Sequence, residues 1–151
     1  MDAVLIDRLC PKYQIFDSIK EVPEAVWTDS GLIIERFVPR SRELPIVKYR
    51  HEFMLDHELT TRAEFDYLLC SETSMARLDF LDHAPEEVHE IRRRLQLDFG
   101  AIDYFVSDGQ VTVIYVNKTT TFTPDWIEAH PRLGAYLDTI AERLRSFAAQ
   151  G

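Results

Sequence analysis

Asp103 lies in the middle of the apolar run Ala101-Ile102-Asp103-Tyr104-Phe105-Val106. A carboxylate in such a strand is costly unless it is paired or holds a metal. A second apolar run, Val111-Thr112-Val113-Ile114-Tyr115-Val116, ends in Asn117 and Lys118, and Asp108-Gly109 between the two runs is the strongest hairpin signal in the chain. The chemistry open to Asp103 and Asn117 depends on that turn. With a two-residue loop, Asp103 stands opposite Ile114 and Asn117 falls on the other sheet face, where it is a strand-end turn residue. With a three-residue loop, Ser107-Asp108-Gly109, and Gly109 left-handed, Asp103, Tyr115 and Asn117 share one face. Only the second arrangement makes a shared site. The plainer role of Asp103, pairing with an arginine or capping backbone, weighs less here because a helix precedes the strand and Asn117 has this spacing.

The other polar residues carry weaker signals. Lys48 and Arg50 alternate along one strand and share a face, as the polar side of a sheet also would. His51, His57, His83 and His89 lack a tight metal-binding spacing, so no zinc site is expected. Cys70, Ser71 and Ser74 cluster near Glu72 without a readable nucleophile–base–orienter set. Arginines 92–94 read as the wet face of their helix, and Trp27 and Trp126 as packing residues.

The elements that would position these groups are legible from periodicity. Before Gly31 the chain is irregular, with one helical turn at Pro23-Glu24-Ala25-Val26-Trp27. Strands are expected at Gly31–Val38, at Ile46–Leu55, and from about Glu58 to Cys70. In the last of these Thr61, Ala63, Phe65, Tyr67 and Leu69 alternate with Arg62, Glu64 and Asp66, the pattern of a half-buried antiparallel strand. A helix runs from Pro85 to about Leu97, with Glu86 and Glu87 in its first turn and arginines near its end, as the helix dipole favours. Its apolar stripe is Val88, Ile91 and Leu95. After the Asp108-Gly109 hairpin, a final helix over about 131–148 buries Leu133, Tyr136, Leu137, Ile140 and Leu144. The expected fold is a single α+β domain, residues 1–151, with a mainly antiparallel sheet and flanking helices.

The order helix, Leu97-Asp98-Phe99-Gly100-Ala101-Ile102-Asp103-Tyr104-Phe105-Val106, glycine turn, and a strand ending Val116-Asn117-Lys118-Thr119 resembles the C-terminal, nucleotide- and metal-binding half of the ATP-grasp superfamily. The resemblance covers about residues 31–119. It implies that Asp103 and Asn117 hold magnesium bridging the phosphates of ATP. It further implies that Glu35 and Phe37, on Leu32-Ile33-Ile34-Glu35-Arg36-Phe37-Val38-Pro39, frame adenine, that Glu43 meets the ribose, and that Lys48 or Arg50 faces phosphate or an acyl-phosphate. The implied activity is that of an ATP-dependent carboxylate–amine ligase. Two departures count against full activity. The superfamily has an acidic metal ligand where this chain has Tyr115, and a phenol with a pKa of about 10 is neutral and a poor magnesium ligand. The front half, with its two phosphate-binding lysines and Gly-rich lid, has no counterpart before Gly31. A non-catalytic ATP-grasp-like module is therefore the alternative expectation, with the missing half or a second copy of this chain as partner.

Composition narrows the remaining classes. Seventeen Lys and Arg against 26 Asp and Glu leave a net charge of −9, opposite to what a nucleic-acid or anionic-membrane surface needs. No apolar run is long enough to span a bilayer. The first residues lack a secretory pattern, and Cys10 and Cys70 form no ligand motif, which together point to reduced thiols in the cytoplasm.

Overall fold

A computed structural model describes residues 16, 18–28, 44–66, 74–120 and 122–149 of the chain. The chain divides into two compact units, Met1–Phe37 and Val38–Gly151. The first contains a 3-10 turn, Ile19–Glu21, capped by the Ser18 hydroxyl, and a short helix α1, Glu24–Thr28. The strand expected at Gly31–Val38, and with it Glu35, Phe37 and Glu43, lies outside the described residues.

The second unit is built on a five-stranded antiparallel sheet. Its strands are β1 (Ile46–Met54), β2 (His57–Phe65), β3 (Met75–Leu81), β4 (Phe99–Ser107) and β5 (Gln110–Asn117), in the spatial order β3-β2-β1-β4-β5. The expected α+β class with a mainly antiparallel sheet therefore holds. The third strand is seen over His57–Phe65, while residues 67–70 of its expected span lie outside the described residues. A further strand, β3, not expected from the sequence, runs antiparallel to β2 with Thr61 opposite Phe80 and Ala63 opposite Leu78. The sequence hides β3 because Arg77 and Asp79 interrupt its apolar pattern; they face the polar side of β2, where Arg62 pairs with both Glu64 and Asp79.

Helix α2 (Glu86–Leu95) covers one sheet face and packs Val88 and Ile91 over Phe53, Ile102 and Tyr104. Leu95 is exposed, and Leu97 joins that core in its place. Two further helices, α3 (Pro124–Ala129) and α4 (Pro131–Ala148), serve the other face: Leu133, Tyr136 and Ile140 of α4 pack on Met54 and Leu59. Each begins with proline, which suits a first helical position because its missing N–H would be unpaired there anyway. Leu144, expected in this core, is 53% exposed, because the buried stripe ends at Ile140. No helix among the described residues is long and apolar enough to cross a membrane.

The β4–β5 hairpin settles the question left by the turn, with a result that neither expected loop describes. Ser107 closes against Gln110, so the loop is Asp108-Gly109, and both residues have positive φ, 52° and 74°, as a type I′ turn requires. Pairing then runs to Tyr104 opposite Val113. There a β-bulge adds Ile114, so that Asp103 stands opposite Tyr115 and Ala101 opposite Asn117. One extra residue reverses the parity of everything beyond it. Asp103, Tyr115 and Asn117 thus share a face despite the two-residue turn.

Candidate functional site

β1, the central strand, sends Lys48, Arg50 and Glu52 to the same face as Asp103, since Arg50 pairs with Asp103 and Glu52 with Ala101. Continuing the two rows onto β5 gives Arg50–Asp103–Tyr115 and Glu52–Ala101–Asn117. This face carries four charged groups in one ion-pair network. Asp103, 7% exposed, accepts from Arg50 Nη1 at 3.0 Å through Oδ1 and lies 3.5 Å from Lys48 Nζ through Oδ2. Arg50 Nε donates to Glu52 Oε1 at 2.5 Å. Arg50 therefore bridges two carboxylates, one of which, Glu52, is 2% exposed.

Burial works against the charge of Arg50, but Asp103 and Glu52 outweigh it and raise the guanidinium pKa above its ordinary value. Burial likewise raises the pKa of Glu52; Arg50 opposes that rise and Asp103 adds to it. Glu52 Oε2 has no hydrogen-bond partner of normal geometry, although Thr120 lies close enough to favour the ionised form. A buried carboxylate held this way keeps acceptor capacity to spare.

The network borders a cleft of about 250 Å³ between the sheet and the helices that follow β5. Lys48, Arg50, Glu52 and Asn117 form its polar side; Phe65, Leu78, Phe80, Phe122, Trp126 and Leu133 are among its apolar walls. Trp126, read from sequence as a packing residue, both packs on the core of α4 and lines this cleft. A pocket with apolar walls and a few converging polar groups is the usual form of a small-molecule site.

Of the residues singled out for chemistry, Lys48, Arg50, Asp103 and Asn117 come together, whereas Glu35, Phe37 and Glu43 lie outside the described residues. Asn117 is partly committed: its Oδ1 accepts from the Thr119 backbone N–H at 3.0 Å and lies 3.4 Å from the Thr119 hydroxyl. It is a turn residue and a member of the shared face at once. Tyr115 is 56% exposed and stands across from Asp103. Sequence reasoning passes over Glu52, although the alternation Lys48, Arg50, Glu52 is a visible signal that three charges point one way.

Gly100 keeps the second row in place. Its φ is +148°, and a Cβ there would lie 2.3 Å from the carbonyl oxygen of Asn117. Only glycine lets β5 approach β4 this closely beside Asn117.

Hard oxygen donors (Asp103, Glu52 and the Asn117 amide) next to two cations suit a hard divalent cation bound with an anionic ligand. The same groups also satisfy one another as an ion-pair network. No protein-family model, curated protein or solved structure matches the chain closely enough to assign it to a family.

Proposed function

We propose that the sheet face bearing Lys48, Arg50, Glu52 and Asp103 binds a magnesium–nucleotide, as the resemblance to the ATP-grasp superfamily implies. One observation supports the reading above all: two buried carboxylates and two partly buried cations are held on one face beside a cleft that Asn117 also lines. On this reading the charges pair with each other until ligand arrives. Magnesium then takes oxygens of Asp103 and Glu52, and Lys48 and Arg50 turn to the phosphates. Exchanging one set of ionic partners for another leaves no charge buried alone, which keeps the cost of binding low. Glu52 also offers the carboxylate that Tyr115 fails to supply. The cleft is small for a whole nucleotide, so the phosphates and metal would occupy it while the base and ribose extend beyond it.

In the ligase chemistry that the resemblance implies, ATP phosphorylates a carboxylate and an amine then displaces phosphate. That chemistry depends on neutralising charge at the phosphates and needs the second ATP-grasp half. A second reading, a nucleotide-binding module without catalysis, is favoured by Tyr115 opposite Asp103, where a neutral phenol adds no charge to the metal.

The test is calorimetric titration of the full chain with ATP, with and without magnesium. Magnesium-dependent binding is expected, weakened at least about tenfold in Asp103→Ala, since an ionic ligand interaction is worth more than about 1.4 kcal/mol. Tyr115→Glu separates the two readings by tightening magnesium-dependent binding if position 115 limits the metal site. Equal affinity with and without magnesium, or in Asp103→Ala, removes the proposal.

A further inference from the structure

The opposite sheet face holds a second cluster of ligating side chains, unconnected with the charged network. His51 of β1 and Glu58 of β2 meet His89 of α2: His51 Nε2 lies 3.9 Å from Glu58 Oε1, and His89 Nδ1 lies 3.7 Å from the same oxygen. The three ligating atoms all fall within 4.8 Å of one another. We propose that His51, Glu58 and His89 form a binding site for a borderline transition-metal ion of the zinc type, with a fourth position open to solvent.

Three observations carry this. His51 is fully buried, yet its Nε2 has no hydrogen-bond partner, a costly state for a ring nitrogen that an ion would relieve. Its other nitrogen, Nδ1, lies 3.0 Å from the Thr60 hydroxyl. If Nδ1 is the protonated nitrogen and donates to Thr60, Nε2 presents its lone pair toward Glu58 and His89. A partner on the far nitrogen that fixes tautomer and ring orientation usually accompanies a metal-binding histidine. Finally, donors on three different elements converge where a tetrahedral ion with bonds of about 2.0–2.1 Å would need them only slightly closer together. Two imidazoles and one carboxylate select zinc, nickel or copper over magnesium or calcium.

Arg92 sets the expected strength. Its Nη1 donates to Glu58 Oε1 at 2.6 Å, and its Nη2 and Nε donate to the carbonyls of Leu55 and Leu97. A metal must therefore share Glu58 with a guanidinium, and a cation so near lowers affinity. Glu58 is 36% exposed at its side chain, so it can turn a second oxygen to the ion while Arg92 keeps its backbone partners. The solvent side of the cluster opens on a surface cleft lined by Glu58, His89, Arg92 and Asp98.

The experiment is calorimetric titration of chelator-stripped, full-length chain with zinc chloride, repeated with cobalt to read the visible absorption of a four-coordinate ion. One ion per chain is expected, with the tetrahedral cobalt spectrum. His89→Ala, at a partly exposed helix position that leaves the sheet core intact, is expected to weaken zinc at least about tenfold and abolish the cobalt bands. Arg92→Met is expected to tighten zinc by removing the competing cation. Zinc binding unchanged in His89→Ala overturns the proposal, as does no binding at millimolar zinc. Neither outcome bears on the magnesium–nucleotide reading, which involves the other face and is tested with ATP.

Discussion

His51 illustrates what burial does to a single residue here. Burial, then His89, then Arg92 lower its pKa from 6.5 to about 4. The groups facing it are His89 and Arg92 on α2 and Glu58 and Thr60 on β2. In the unfolded chain His51 takes a proton below about pH 6.5; in the folded protein it does so only below about pH 4. This residue's contribution is therefore fully present above pH 6.5 and lost as pH falls toward 4, amounting to about 3 kcal/mol across that window. Urea unfolding with a chelator present, at pH 7, 5.5 and 4.5, is expected to show a steeper loss in the parent chain than in His51→Gln. Parallel losses would mean that His51 titrates normally. Arg92 shows the same lesson from another side. The run 92–94 reads as one solvated stripe, and Arg93 and Arg94 do pair with Glu86 and Glu90 at the surface. Arg92 instead lies over the Phe53 ring and ties α2 to the β1–β2 turn. Three identical side chains divide by where the helix surface meets the sheet, which neighbouring letters do not reveal.

At the scale of elements, the β4–β5 hairpin carries the site. Its two positive-φ glycines have different reasons to exist, and substitution distinguishes them. Gly109, at φ +74° with no atom within 4 Å of where a Cβ would stand, needs only the left-handed turn; Asn satisfies that, so Gly109→Asn is expected to change stability by less than about 1 kcal/mol. Gly100 needs both its φ and its closeness to Asn117. Gly100→Ala is expected to cost about 2–4 kcal/mol, read by urea unfolding, because β5 must move off β4. A cost below about 1 kcal/mol would mean that the strand pair yields easily at this point. The bulge at Ile114 is not legible in the sequence because the run from Val111 to Val116 is apolar at nearly every position, so its pattern marks no break in alternation. Helix α2 is legible because proline, charge order and an apolar stripe coincide there, and α4 because a proline start leads into a long apolar stripe, whereas short, polar-interrupted β3 offers no such agreement.

At the scale of the molecule, β5 is an edge strand among the described residues, and it exposes Ile114 and Tyr115 beside the charged face. An apolar edge with unpaired backbone is a site for strand pairing. Sedimentation velocity across a roughly hundredfold range of protein concentration is expected to show self-association, reduced in Ile114→Lys. A monomer at every concentration would mean that this edge does not pair with a second copy of the chain.

Sequence alone determined the α+β class, the hairpin at Asp108-Gly109, the two main helices and the grouping of Lys48 with Arg50, because each rests on local periodicity or on turn residues that need no distant partner. Tertiary structure decided the rest. Strand pairing brought Glu52 and Arg50 to Asp103, a bulge returned Asn117 to their face, and helix docking placed His89, far along the chain from His51, against it. Those are register and packing outcomes, fixed by which surfaces meet, and a linear pattern of residue types does not encode them one position at a time.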